Sequence, residues 1–156
     1  MPVMTEPVPL HRTAARYEQL LHERGVDVTV QMLPGSARTA AEAAAAIGVE
    51  IGQIVKSLVF MRGEEPVLVL CAGDRRVDAE RLGLVPARAG TVRELTGYAI
   101  GGIPPIGHAQ PLPTLIDASF ARFEVVWAAA GHPHAVFPIS VAALCAAVPE
   151  ATVTEV

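Results

Sequence analysis

The chain has 156 residues, a formal net charge of −4, and 51% hydrophobic but only 4% aromatic residues. This length is typical of one domain, so we expect a single domain over residues 1–156, with 1–9 as a loosely ordered segment. A net negative charge argues against a general nucleic-acid binder, which needs clustered Lys and Arg, and leaves open a local contact with a nucleic-acid end. Neither a signal peptide nor an apolar stretch of ~20 residues is visible. We therefore expect a cytoplasmic protein that does not bind membranes.

Glycine and proline divide the first half of the chain into short periodic segments. The predicted elements are a helix over 11–24, a strand over 28–33, a helix that Thr39 opens and Gly48 closes, and a hairpin of strands 54–61 and 66–73. Thr39 and Glu42 have the spacing of a capping box, in which each side chain satisfies a backbone N–H at the start of a helix.

The second half contains more strands than helices. The predicted elements are a helical turn over 78–82, a helix with a capping box at Thr91 and Glu94, strands over 114–120, 123–131 and 134–137, a helix over 139–148 and a strand over 151–155. The consecutive strands after residue 112 break the regular alternation that a doubly wound parallel sheet needs. We therefore predict a mixed α/β fold of α+β character, with a mainly antiparallel mixed sheet flanked by helices.

The segment GQIVKSLVF, residues 52–60, carries the only lysine of a chain that has eleven arginines. A fully buried, unpaired ammonium is costly, so Lys56 must find a partner or reach water from a strand end. A general preference for Arg explains the missing lysines, but it would also have replaced a lysine at an ordinary surface position. Arg cannot replace Lys where a compact charge must fit a narrow pocket. The residue pattern alone leaves both interpretations of Lys56 open.

The segment GGIPPIGH, residues 101–108, predicts a loop that is permissive at its glycines and stiff at its prolines. Such a loop can direct backbone N–H and C=O groups at a ligand. It lacks the Gly-Lys-Ser/Thr ending of a P-loop and does not match a dinucleotide fingerprint. Taken alone, it is also compatible with an ordinary connection between strands.

Other polar residues are weaker candidates. His132 and His134 have no further ligands at metal-binding spacing, so we predict no metal. Ser57 has no local base, and Cys71 is more typical of a small core residue than of a nucleophile, as is Cys145. Asp117 interrupts an apolar strand, where it either orients a partner or faces solvent.

Four segments together resemble the YbaK/ProX/EbsC family, the free-standing relatives of the editing domain of bacterial prolyl-tRNA synthetase. They are residues 39–60, the loop 101–108, LPTLIDASF at 112–120, and VVWAAAGHPHAVFPISVAAL at 125–144. The resemblance implies a mixed α/β domain with a curved, largely antiparallel sheet. It also implies hydrolysis, in trans and without metal or other cofactor, of the ester between a wrong amino acid and the 3′ end of a tRNA.

The resemblance also assigns roles to residues of this chain. It implies Lys56 as the catalytic residue and Gly101, Gly102, Ile103, Pro104, Pro105 and His108 as substrate-binding residues. Lys56 would hold the terminal adenosine, stabilise developing negative charge or act as a base. The implied partner is the acceptor end of an aminoacyl-tRNA, most commonly tRNA(Pro), and the participation of a synthetase stays open. Because Pro104 departs from other members, the amino acid removed is not assigned.

Two other functions stay open at this point. The alternative is a non-catalytic module that binds a nucleotide, an aminoacyl group or a protein in the same pocket, and a relative without pocket function is the third. A binding module would saturate with ligand and leave the ester intact, and Lys56→Ala would then change affinity alone. The sequence carries no signature of the oligomeric state.

Overall fold

A computed structural model describes residues 9–156, and the predicted loose segment 1–9 lies outside the described residues except for Pro9. The helices are α1 (Arg12–Glu23), α2 (Ala40–Ile47), α3 (Ala79–Leu82), α4 (Ala89–Thr96) and α5 (Val141–Ala147), with 3₁₀ turns at Ile51–Gln53 and Ala118–Arg122. The strands are β1 (Gln31–Met32), β2 (Val55–Arg62), β3 (Glu65–Ala72), β4 (Val85–Pro86), β5 (Thr114–Asp117), β6 (Val125–Ala129), β7 (Ala135–Ser140) and β8 (Thr152–Thr154). None of the described helices combines the length and apolar character that crossing a bilayer requires.

The strands form two sheets. The smaller sheet is antiparallel with the order β1-β7-β6, and the larger has the order β4-β2-β3-β5-β8. In the larger sheet β2 is antiparallel to β3 and β4, whereas β5 is parallel to β3 and β8. An isolated parallel bridge between Ile54 and Trp127 links the two. The mixed α/β class and the mainly antiparallel pairing are confirmed, but the strands are divided between two sheets where the sequence predicted one.

The larger sheet separates two apolar clusters, because side chains alternate between the faces of a strand. Leu68 and Leu70 of β3 pack into the larger cluster, together with Tyr17 of α1 and Phe137 of β7. Residues of the opposite parity, such as Val69, belong to a smaller cluster that also contains Phe60 and Leu84. The larger cluster therefore lies between the two sheets and α1.

Local side-chain hydrogen bonds set several element boundaries. Thr39 Oγ1 accepts the N–H of Glu42 at 3.1 Å, and Gly48 ends α2 with φ of 87°, as the sequence predicted. The predicted strand 114–120 ends at Asp117, because the Asp117 carboxylate accepts the N–H of Ser119 and starts a 3₁₀ turn.

Three further predictions need correction. The capping box at Thr91 is wrong, since α4 begins at Ala89. The strand predicted at 28–33 is reduced to Gln31–Met32, and the last helix begins at Val141, where Ser140 Oγ accepts the N–H of Ala143. The sequence patterns therefore extend beyond the elements that form. Strand pairing limits β1 to two residues, and the cap at Ser140 sets the start of α5.

Candidate active site

A cavity of about 530 Å³ lies along an open edge of β2. The short strand β4 pairs only with Phe60 and Met61, so β2 from Val55 to Leu58 has no ladder partner on that side. The cavity walls come from this part of β2, from the start of α2, from residues 100–103 and from β6. The sheet thus leaves a stretch of strand backbone facing a concave space, where a ligand can reach it.

The cavity lining is mostly apolar. The lining residues that have a polar side chain are Arg38, Thr39, Lys56, Ser57 and Trp127, and no acidic residue of the described part of the chain lines it. Two cations beside apolar walls suit a ligand that has both an anionic and an apolar part. Charge interactions are stronger in such a site than in water.

Lys56 is half-buried at the start of β2. Its cross-strand partner is Cys71, and it shares a face of the sheet with Leu58. Ser57, the next residue, points to the opposite face and the larger cluster. Lys56 Nζ donates a hydrogen bond to the backbone carbonyl of Arg75. An ammonium has three N–H donors, so two remain for solvent or a ligand.

An ion pair braces the turn that carries the Arg75 carbonyl. Both terminal nitrogens of Arg122 donate to the Asp74 carboxylate, at 2.8 and 3.0 Å, and these hydrogen bonds hold the pKa of Asp74 below its usual value. The N–H of Gly73 donates to the carbonyl of Ile54 at 2.8 Å, which ties the same turn to β2. The acceptor of Lys56 is therefore fixed relative to the strand.

The loop that follows Ala99 places two glycines close to the turn 131–134. Gly101 has φ of 93° in a turn closed by the hydrogen bond from the Gly102 N–H to the Ala99 carbonyl. A Cβ on Gly102 would lie 3.1 Å from three backbone atoms of His132, so a side chain there requires the loop or the turn to shift slightly. Ile103 is buried and lines the cavity beside Gly101.

Two side-chain hydrogen bonds hold the rest of the loop. Tyr17 Oη donates to the carbonyl of Ile106 at 2.8 Å, and His108 Nε2 donates to the carbonyl of Pro104 at 2.7 Å. Burial lowers the pKa of His108; the Pro104 carbonyl opposes this effect and Arg24 reinforces it. His108 is therefore a neutral hydrogen-bond donor near neutral pH.

The structure brings only some of the expected site residues into the cavity. Lys56, Gly101 and Ile103 line it together, whereas Gly102, Pro104, Pro105 and His108 are not among its lining residues. The prolines are buried and His108 donates to the Pro104 carbonyl, so these residues support the loop that carries Gly101 and Ile103.

The surroundings of Cys71 and Asp117, two of the weaker candidates, indicate structural roles. Burial raises the pKa of the Cys71 thiol to about 11, against the opposing charge of Lys56, so the thiol stays protonated. Asp117 is 4% exposed and accepts the N–H of Ala72 at 2.9 Å in addition to that of Ser119. Asp117 thus joins β3 to β5 and faces neither solvent nor the cavity.

The ring of His132 has two other histidine rings beside it, both tilted against it. Its centroid lies 4.3 Å from that of His11 and 5.5 Å from that of His134. Across residues 9–156, no group of three or more His, Cys, Asp or Glu side chains is arranged to hold a metal ion. The His132 backbone instead supports Gly102.

Arg38, Ser57 and Trp127 also line the cavity, and none of them was among the binding residues expected from the sequence. Ser57 and Trp127 lie within the segments that carry the family resemblance, which was the available signal. The open edge of β2 could not be inferred, because it depends on a two-residue strand, β4, that gives no periodic pattern.

The family model for the aminoacyl-tRNA editing domain matches residues 35–146, a range that contains both Lys56 and the loop after Ala99. The chain belongs to this family. The resemblance to the YbaK/ProX/EbsC family is thereby confirmed, and aminoacyl-tRNA editing is the general function of that family.

Individual relatives agree with this membership. YwhH of Bacillus subtilis (strain 168), an uncharacterised protein, is 36% identical over 103 residues, which cover 62% of this chain and 66% of YwhH, just under two thirds of its length. The structure of a candidate trans-editing enzyme for prolyl-tRNA synthetase has a TM-score of 0.87 and 43% identity, over 94% of this chain and 98% of that chain. A scaffold protein from computational epitope grafting also has a TM-score of 0.87, with 40% identity over 94% and 97% of the two chains.

Proposed function

We propose that the protein is a trans-editing hydrolase that deacylates mischarged aminoacyl-tRNA, with tRNA(Pro) as its cognate tRNA. The observation that carries this proposal is the cavity that Lys56 and the Gly101 loop line together, within a domain of the editing family. Synthetases distinguish side chains that differ by one methylene by only about 1–3 kcal/mol, so a separate hydrolytic check is needed.

The reaction needs no protein nucleophile, because the substrate is already an activated ester. The oxygen of a water molecule attacks the carbonyl carbon, the bond from that carbon to the ribose oxygen breaks, and the ribose oxygen takes up a proton. The products are the free amino acid and a tRNA with a free 3′ hydroxyl. The protein therefore has to position the ester and stabilise the negative charge that develops on the carbonyl oxygen.

Lys56 fits the electrostatic part of this task. Its ammonium is held on one side by the Arg75 carbonyl, which leaves two donors for a phosphate or ribose oxygen of the terminal adenosine or for the developing oxyanion. The apolar walls of the cavity strengthen such a contact. In this proposal Lys56 acts through its charge.

The loop supplies the positioning part. Gly101 and Ile103 contact the aminoacyl group through backbone and side chain, and Gly102 allows the close approach to His132 that holds them there. Pro104 and Pro105 stiffen the loop from the core side, and His108 supports Pro104. Substrate binding by these last three residues is therefore indirect.

The test is deacylation of tRNA(Pro) charged with Ala, Cys, Ser or Thr by the wild type, Lys56→Ala, Lys56→Arg and a control, Arg12→Ala. Arg12 is an exposed cation of α1 outside the cavity. We expect the wild type to clear at least one ester, and Lys56→Ala to reduce its rate about 100-fold or more. Lys56→Arg should stay impaired, because a guanidinium does not reproduce a compact ammonium.

Two results would contradict the proposal. If no ester on any tRNA tested is lost faster than in buffer, while the protein still binds the charged tRNA, a non-catalytic binding module is the better description. If Lys56→Ala and Arg12→Ala have equal effects, the chemistry does not depend on this cavity. The same esters on tRNA(Ala) and tRNA(Ser) test the preference for tRNA(Pro).

A further inference from the structure

Ser57 carries an unusual hydroxyl. Among the described residues, its Oγ is the buried side-chain polar atom that has no hydrogen-bond partner. Buried polar atoms are almost always paired, since leaving one unpaired costs about 1–3 kcal/mol. The backbone around it does form a regular ladder, with Ser57 opposite Leu70 of β3. No described residue supplies a partner in this side-chain position, so a molecule bound beside β2 can supply one.

The position of Ser57 connects this atom with the cavity. Ser57 lies on the open edge of β2 and lines the cavity next to Lys56, and its side chain is on the same face as Val55 and Val59. The Oγ has almost no accessible surface in its present side-chain position. A serine side chain has three staggered positions about its Cα–Cβ bond, so rotation about that bond redirects the hydroxyl without movement of the strand.

The surroundings limit what this hydroxyl can bind. The neighbouring lining side chains are apolar, and the charged ones, Arg38 and Lys56, are both cations with no carboxylate to balance an ammonium. The cations suit the phosphate and ribose part of a substrate, whereas Ser57 suits a small neutral group that both donates and accepts hydrogen bonds. An alcohol has this property, and a methyl group does not.

We propose that Ser57 hydrogen-bonds the side-chain hydroxyl of the aminoacyl group, so that the cavity favours esters of small hydroxyl amino acids over the alanine ester. This inference rests on the proposed deacylase function. It makes Ser57 a specificity-determining residue at the inner side of the cavity, with Lys56 at the charged part of the substrate.

The variant Ser57→Ala is well suited to the test. It removes an unpaired hydroxyl and no hydrogen bond, so its urea midpoint should equal or exceed that of the wild type. The kcat/KM ratio for seryl- over alanyl-tRNA(Pro) should fall about tenfold, because one neutral hydrogen bond to the substrate is lost. The control Ser36→Ala, at an exposed serine outside the cavity, should keep the wild-type ratio.

A binding readout separates failure of this inference from failure of the proposed function. The probes are 3′-seryl- and 3′-alanyl-amino-adenosine, in which an amide replaces the ester, and the signal is the fluorescence of Trp127, the only tryptophan of the chain. A loss of the seryl preference in Ser57→Ala supports the inference, whether or not the wild type cleaves esters. A wild type that prefers the alanyl compound, or a ratio that Ser57→Ala leaves unchanged, overturns it.

Discussion

Strands β2 and β3 have similar apolar sequences and pair along their whole length, yet they serve different purposes. Strand β3 has β2 on one side and β5 on the other, and its residues 67–72 are buried without interruption. Strand β2 has a full partner on one side alone, and its first residues carry Lys56 and Ser57 beside the cavity. An apolar strand thus becomes a binding surface where its second neighbour is missing, because its backbone and side chains then stay accessible to a ligand.

The largest expected effect on stability comes from a substitution in β3, the strand with neighbours on both sides. Leu68 is 0% exposed in β3 and packs into the larger cluster, so Leu68→Ala should lower the free energy of unfolding by about 2–5 kcal/mol. Urea unfolding measures this loss, and the deacylation rate per folded molecule should remain close to that of the wild type. A large loss of rate without a loss of stability would remove the distinction between the two strands.

An intermediate effect is expected for Gly102, which lies between the cavity-lining residues Gly101 and Ile103. Gly102→Ala would place a methyl group 3.1 Å from the His132 backbone, which must displace either the loop or the turn. We expect a loss of stability of about 1–3 kcal/mol and a disproportionate rise in KM, since Gly101 and Ile103 move with the loop.

Gly90→Ala is the matched control for this change. A Cβ at Gly90 of α4 meets nothing within 4 Å, so the substitution should stabilise the helix slightly and leave KM unchanged. Equal KM values for the two variants would show that the position of the loop does not determine substrate binding.

The smallest effect concerns His108. Its pKa lies below the ordinary 6.5 in the folded protein, so the unfolded chain binds more protons below that pH. The contribution of His108 to stability is therefore complete above pH 6.5 and falls as the pH drops below it. His108→Gln, whose amide can still donate to the Pro104 carbonyl, should lessen this fall between about pH 7.5 and about pH 5, as urea midpoints would measure. A pH dependence identical to that of the wild type would show that His108 does not titrate in this way.

Local signals explain what the sequence predicted correctly. The hairpin β2-β3 and the caps Thr39 and Gly48 depend on neighbouring residues. Lys56 and the Gly/Pro loop were noticed from their residue types, and the family resemblance implied their roles. The unpaired Ser57 hydroxyl and the place of His108 outside the cavity lining depend on contacts between distant segments. Such contacts leave no periodic pattern. The resemblance therefore implied substrate binding by residues 101–105 and His108, whereas Gly101 and Ile103 are the members of that set that line the cavity.

The central claim is that the cavity beside β2 binds the aminoacyl end of the tRNA. Titration of the wild type with a 3′-aminoacyl-amino-adenosine, followed through Trp127 fluorescence, tests this claim directly, because Trp127 lines the cavity and is the only tryptophan. We predict a saturable change whose midpoint matches the concentration that inhibits deacylation, and which Lys56→Ala weakens. Inhibition of deacylation without any change in Trp127 fluorescence would place the substrate elsewhere and contradict the account.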